Sequence, residues 1–134
     1  MEISRNKTGE LAFFLIYSCL VYQSMNETYD LKDVISSMCD VPFEDCDIYL
    51  KEIVVKAIAH ENEIVEDIKK YLINWRYERI SLISQAILLF GYSNYKYCHN
   101  VDKATAINSA VKFSKKYGDK DEYKFINAVL DKAL

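Results

Sequence analysis

The side chains able to do covalent or metal chemistry in this chain are few and badly spaced for it. Histidine occurs only as His60 and His99, and neither has an acid and a nucleophile at a spacing that suits general acid–base or triad chemistry. Cys19, Cys39, Cys46 and Cys98 contain no C-x-x-C pair. Cys39, Cys46, Cys98 and His99 could in principle converge on a metal, but their spacing is not that of a zinc site, and reduced thiols are the expectation. Cys19 lies in an apolar stretch and reads as a small core hydrophobe. The three glycines, Gly9, Gly91 and Gly118, stand too far apart to build a phosphate-cradling loop. Carboxylates abound in the middle of the chain, where paired acids on a helix face are ordinarily solvated. The expectation is a non-enzymatic protein with no cofactor and no metal.

The charge distribution is more informative. A net charge of −3 hides strong segregation. From Asn26 to Asp67 there are twelve acids and three bases, and from Ile68 onward twelve bases and six acids. Most of these side chains belong to solvated helix faces. The segregation nevertheless marks where a polyanion is tolerated, in the back half, and where it is repelled, in the middle.

Long helices must position these groups. Gly and Pro together occur four times in 134 residues, too rarely for a sheet with many tight turns. Helix one is predicted from about Lys7 to Gln23, started by Thr8 or Ser4, and apolar on nearly every face. Asp30 caps a short helix over 31–38, and Val41-Pro42 breaks the chain. A third helix follows from Phe43 to about Ala59. A fourth, capped by Asn62, covers 63–75, and a fifth covers 78–95 with Gly91 as a point of close backbone approach. A sixth spans 102–117, ended by a left-handed Gly118. A seventh begins at Asp119 or Asp121. No linker, repeat or low-complexity segment divides the chain, so 1–134 is expected to be one domain.

Residues 10–22 are mostly apolar but too short for a bilayer, which needs roughly 20 residues. Arg5 and Lys7 precede the run as in a signal peptide. Glu10 interrupts it, however, and Gln23-Ser24-Met25-Asn26 offers no small-residue cleavage pattern. A cytoplasmic protein without membrane attachment is the expectation.

Fixed landmarks run from Trp75 to the C-terminus. Trp75 and Arg79 come first, then Ala86-Ile87-Leu88 with Gly91, Ala106-Ile107-Asn108 with Ala110-Val111, and Lys115-Lys116-Tyr117-Gly118. Lys124-Phe125-Ile126-Asn127 and Val129-Leu130-Asp131-Lys132 complete the series. In this order they resemble the NusB family, strongly from Trp75 onward and weakly between Gln23 and Ile73. The resemblance implies an all-α, seven-helix bundle of two packed three-helix subdomains with an extra short helix. It implies an RNA-binding antitermination factor. With NusE, a small ribosomal-subunit protein, such a factor binds a boxA-like single-stranded RNA element of nascent ribosomal RNA transcripts and supports a processive elongation complex.

In that family an arginine-rich segment leads into helix one and contacts RNA phosphates. Arg5 and Lys7 match it, whereas Asn6 and Gly9 stand where arginines are frequent. The other half of the implied RNA surface is Lys120, Tyr123, Lys124 and Phe125. A lysine beside an exposed ring offers a phosphate contact and a stacking platform. Tyr123, between Glu122 and Lys124, is the better candidate for an exposed ring, while Phe125 also fits a core position. Tyr17 and Glu78 match positions near the NusE-docking surface, and Ser84 replaces a frequent acid there. Asn108 and Asn127 read as architectural, and Trp75 as an anchor between the two halves. The missing arginines, Glu122 and the acidic middle favour a second reading, a NusB-fold interaction module with weakened or lost RNA recognition. A homodimer that hides the RNA face is one form of it.

Overall fold

The computed structural model describes residues 5–99 and 101–134, and among them the ordered elements are helical. They are α1 (Arg5–Ser24), α2 (Leu31–Cys39), α3 (Ile48–Ala59), α4 (Glu61–Lys69), α5 (Leu82–Lys96), α6 (Lys103–Tyr117) and α7 (Glu122–Ala133). Single 3-10 turns at Phe43–Asp45 and Tyr77–Arg79 precede α3 and α5. Local capping sets several of the starts. The side chains of Asp30, Asp47, Ser81 and Asp102 accept backbone N–H bonds from Asp33, Leu50, Ser84 and Thr105 at 3.1, 3.0, 3.2 and 2.8 Å.

These caps also explain where the helices depart from the periodicity. α3 starts after Asp47 rather than at Phe43, because Phe43–Asp45 closes as a 3-10 turn on the Cys46 N–H. α5 starts after Ser81 rather than at Glu78 for the same reason. α4 begins at Glu61, which puts Asn62 inside the first turn instead of at the cap, and it stops at Lys69, short of Trp75. Thr8 is buried within α1 and does not start it, and Ser4 lies outside the described residues. Gly118 is extended (φ −88°, ψ 178°) rather than left-handed. The left-handed residue of that turn is Asp121, at φ 66°. Gly118 is required for a different reason: a Cβ there would lie 2.8 Å from the Ser114 carbonyl oxygen.

The centre of the molecule is α5, where every residue from Ala86 to Asn94 is buried. It packs against α1, α3, α4, α6 and α7. On one side α1 gathers α2 and α3; on the other α5, α6 and α7 pack on one another, and α4 is the short helix between the groups. The two three-helix groups implied by the resemblance are therefore present, with α1 and α5 as their shared seam. Buried polar groups of α5 are tied to the helices that cover it, as buried polar groups must be. The Tyr49 hydroxyl donates to Asn94 Oδ1 at 2.8 Å, and the Tyr92 hydroxyl donates to Asp67 Oδ2 at 2.5 Å. Phe13 of α1, Phe90 of α5 and Phe113 of α6 meet within 5.6 Å between ring centroids.

Gly91 lets α6 and α7 close on α5. A Cβ at this position would stand 2.9 Å from Leu130 Cδ1 and 3.2 Å from Ala110 Cβ. Leu130 can swing its tip aside, but Ala110 yields only if α6 moves. Gly91→Val is therefore expected to lower unfolding stability by about 2 kcal/mol through overpacking, read as a fall in Tm. An unchanged Tm would show that α6 and α7 can step back from α5 without loss.

Candidate nucleic-acid interface

Glu10 joins the two ends of the sequence. Its side chain is almost enclosed, yet carboxylate Oε2 accepts a hydrogen bond from Lys116 Nζ at 2.9 Å and one from the Tyr117 hydroxyl at 2.8 Å. Lys7 Nζ reaches Oε1 at 3.4 Å. The bond from Lys116, then that from Tyr117, hold the carboxyl well below its ordinary value of 4.5, at about 2, against the opposing effect of burial. The start of α1 is thereby fastened to the end of α6. Phe13 and Phe14 close the junction apolarly on the Tyr117 ring, at 5.7 and 5.2 Å.

The two N-terminal cations face different ways. Lys7 turns toward Glu10 and the end of α6. Arg5 lies over the Tyr49 ring of α3, 4.2 Å from its centroid, in clefts that also contain Asp47 and Glu52. Arg5 and Lys7 thus do not form one patch, because two residues along a helix turn the side chain through more than half a circle. Gly9 is buried, and a Cβ there would touch the Phe90 ring at 3.4 Å. That is ordinary van der Waals contact, so a Cβ fits there, and the position, buried within α1, supplies no cation to the surface. Asn6 is exposed.

Beyond Glu10 the cations continue along the α6–α7 turn. Lys115 Nζ stands 4.7 Å from the centre of the Tyr123 ring, and Lys116 lies next to it on α6. Lys120 and Lys124 are exposed, with Lys124 3.9 Å from Asp121. Glu122, whose charge the sequence placed against this face, is partly committed: its Oε2 accepts the Asp119 N–H at 3.2 Å. The expected contrast between the two rings does not hold, since Tyr123 and Phe125 are both half-buried. Tyr123 lies under a lysine, and Phe125 lies 5.6 Å from the Trp75 ring. Trp75 is 58 % exposed and lies beyond α4 on the surface, so it does not anchor the two halves. Asn108 and Asn127 are exposed as well and are not buried ties.

By contact, the candidate surface falls into two described stretches: Lys7, Glu10 and Lys116 with Lys115 and Tyr123 beside them, and Phe125 with Trp75. Sequence reasoning finds Lys7, Lys120, Tyr123, Lys124 and Phe125 but misses Lys115, Lys116 and Trp75 as members. The adjacent pair Lys115-Lys116 was the available signal. Residues near the expected partner surface are placed separately. Tyr17 is half-buried on α1, and exposed Glu78 pairs with Lys69 at 3.3 Å. Ser84 is fully buried, and its hydroxyl has no partner among the described residues, so that position offers no surface on which an acid could complement a basic partner.

Glu10 makes this end of the molecule sensitive to acid. Its folded-state pKa lies below its unfolded one, so its contribution is complete above about pH 4.5 and fades as the pH falls toward 2. Glu10→Gln is expected to cost roughly 2 kcal/mol at neutral pH and to flatten the acid limb of a stability–pH curve. A variant that kept the wild-type slope between pH 5 and 2 would place the acid sensitivity elsewhere.

Comparison with known proteins identifies the lineage. The model of the NusB family matches residues 6–134. The transcription antitermination protein NusB of Methylacidiphilum infernorum is 31 % identical over 98 % of this chain and 91 % of its own length. That of Ligilactobacillus salivarius is 30 % identical over the full length of both. Among solved structures, T. maritima NusB superposes with a TM-score of 0.80 at 20 % identity, covering 99 % of this chain and 92 % of its own. A structure of antitermination factors NusB and NusE in complex with dsRNA superposes with a TM-score of 0.74 at 23 % identity, covering 98 % and 97 %. At these identities the superpositions speak to the fold. The family match and the full-length relatives carry the rest: this chain belongs to the NusB family.

Proposed function

We propose that this chain is an RNA-binding transcription antitermination factor that acts in the cytoplasm. With NusE it grips a boxA-like single-stranded element of nascent ribosomal RNA and helps hold the elongation complex in a processive state. The observation that carries this reading is the pooling of cations and rings from both ends of the chain. Lys7 arrives on α1 and Lys115, Lys116, Lys120 and Lys124 on α6 and α7, with Tyr123 and Phe125 beside them. Phosphate contacts from lysines position an RNA strand without reading it, while half-exposed rings offer faces to unstacked bases. The role is recognition rather than catalysis. Tyr17 and Glu78 are the proposed contacts to NusE. Membership of the NusB family, with relatives named as antitermination proteins, supports the same assignment.

A second reading has its own support. Glu10 already holds two of the cations, buried Gly9 supplies none, and Arg5 stands among acids. A protein-interaction module with weakened RNA affinity, homodimeric in one form, would have this electrostatic profile. Sedimentation at micromolar concentration separates the self-associating form from a monomer.

Fluorescence anisotropy of a boxA-type RNA and its scrambled counterpart, with and without NusE, at two salt concentrations, decides between the readings. Preference for the boxA sequence that tightens with NusE is expected; no preference in either mixture would leave the interaction module. Lys7→Ala is expected to weaken binding and to reduce the salt slope by about 0.7, for one single-strand phosphate deprived of its cation, whereas Arg5→Ala, on the acidic side of α1, is expected to change neither. Unchanged binding by the Lys7→Ala variant with an intact helical spectrum would remove Lys7 from the RNA surface.

A further inference from the structure

Lys115 and Lys116 are neighbours in the last turn of α6, yet their ammonium groups stand in different surroundings. Lys115 Nζ lies 4.7 Å from the centre of the Tyr123 ring and makes no ion pair among the described residues. Lys116 Nζ is folded back over the end of the bundle, 2.9 Å from Glu10 Oε2 and 5.2 Å from the centre of the Tyr117 ring. The two members of this ion pair differ in their access to water. The Glu10 side chain is 11 % exposed and that of Lys116 57 %, so the acid is enclosed while the lysine presents its outer side to solvent.

We propose that Glu10 sets the RNA affinity of this chain by withholding Lys116 from the phosphate backbone. This rests on the RNA-binding reading and gives a part in it to a residue that does not itself touch RNA. Two anions compete for one ammonium, and the internal one has the advantage. If Lys116 left, Glu10 would keep only the Tyr117 hydroxyl at 2.8 Å and Lys7 at 3.4 Å. Taking one partner from a nearly enclosed ion pair costs more than a solvent-exposed phosphate, screened by salt, returns. A phosphate that approached the outer side of the same ammonium would also meet the negative charge of Glu10 behind it. Glu10 thus occupies Lys116 as a phosphate would. Lys115, one residue away and without such a competitor, meets the backbone with its full charge.

The test is the affinity of the full chain for a short single-stranded boxA-type RNA, followed by anisotropy at several salt concentrations. Glu10→Gln removes the charge, while its amide oxygen can still accept the Tyr117 hydroxyl. It is expected to tighten binding about fourfold near 0.15 M salt and to steepen the salt slope by about 0.7, as one further single-strand phosphate would. Lys116→Ala should cost more affinity in the Glu10→Gln background than in the wild type. Tyr117→Phe loosens the same junction but leaves the carboxylate and both lysines, and it should not tighten binding. Equal or weaker binding by folded Glu10→Gln, or tightening by Tyr117→Phe, would overturn the proposal and leave the RNA reading standing. If Glu10→Gln does not fold, the wild-type chain supplies the answer through the carbon-13 resonance of the Glu10 carboxyl at neutral pH. Saturating RNA should leave it in place, and a move to the position it takes in free Lys116→Ala would show that phosphate captures the lysine and would overturn the withholding. No RNA binding by the wild type or any variant, even at low salt, would overturn both readings together.

Discussion

Everything in this molecule is arranged around a helix that water hardly reaches. From Ala86 to Asn94 α5 is buried, and five other helices lie on it. Such a helix can carry no charge through its centre, and the polar atoms it does carry must be met from outside, as Asn94 is by Tyr49 and Tyr92 by Asp67. Its crowding also sets tolerances. At Gly91 α6 and α7 approach too closely for a Cβ, whereas at buried Gly9 on α1 a Cβ would meet the Phe90 ring at ordinary contact distance. Close packing of this kind resists even small changes in volume.

The functional surface inherits its geometry from that packing. Because α1 and α6 both lie on α5, the beginning of one meets the end of the other, and Glu10 binds Lys116, Tyr117 and Lys7 where they meet. The arrangement cuts two ways for a polyanion. It concentrates cations from distant parts of the sequence at one end of the bundle, and it commits part of their charge to an internal carboxylate. A weakly hydrated, nearly enclosed acid holds its partners more firmly than a surface pair would. On the proposed RNA surface, Lys115, Lys120 and Lys124 therefore offer more uncommitted charge than Lys7 and Lys116.

The acidic middle of the chain complements this arrangement. Asp47 and Glu52 line the clefts beside Arg5 on the α3 side, while the cations of α6 and α7 gather across Glu10. The two faces of the N-terminal helix thus differ in charge, and under the proposed function a phosphate backbone would be steered toward the Lys7 side. Lys7 and Arg5, two residues apart in the chain, fall on opposite sides of that divide.

Much of the fold was legible in the sequence. Scarcity of Gly and Pro, helical periodicity and the run of C-terminal landmarks determined an all-helical chain of seven helices, because these are local properties that a backbone obeys wherever it lies. Asp30 as a cap, Cys19 as a core residue and Gly91 as a close approach were readable for the same reason. The extents of α3, α4 and α5 were not, since an apolar pattern continues through a 3-10 turn as readily as through a helix, and the competing caps at Asp47 and Ser81 decided them. Of the candidate site, the sequence supplied the residue types and the segregation of charge. Only the tertiary structure decided which cations stand together, that Gly9 faces a ring rather than solvent, and that Trp75 lies outside on Phe125. The physical reason is that a helix fixes directions about its own axis, while the partner that fills each direction is set by helices that pack from elsewhere in the chain.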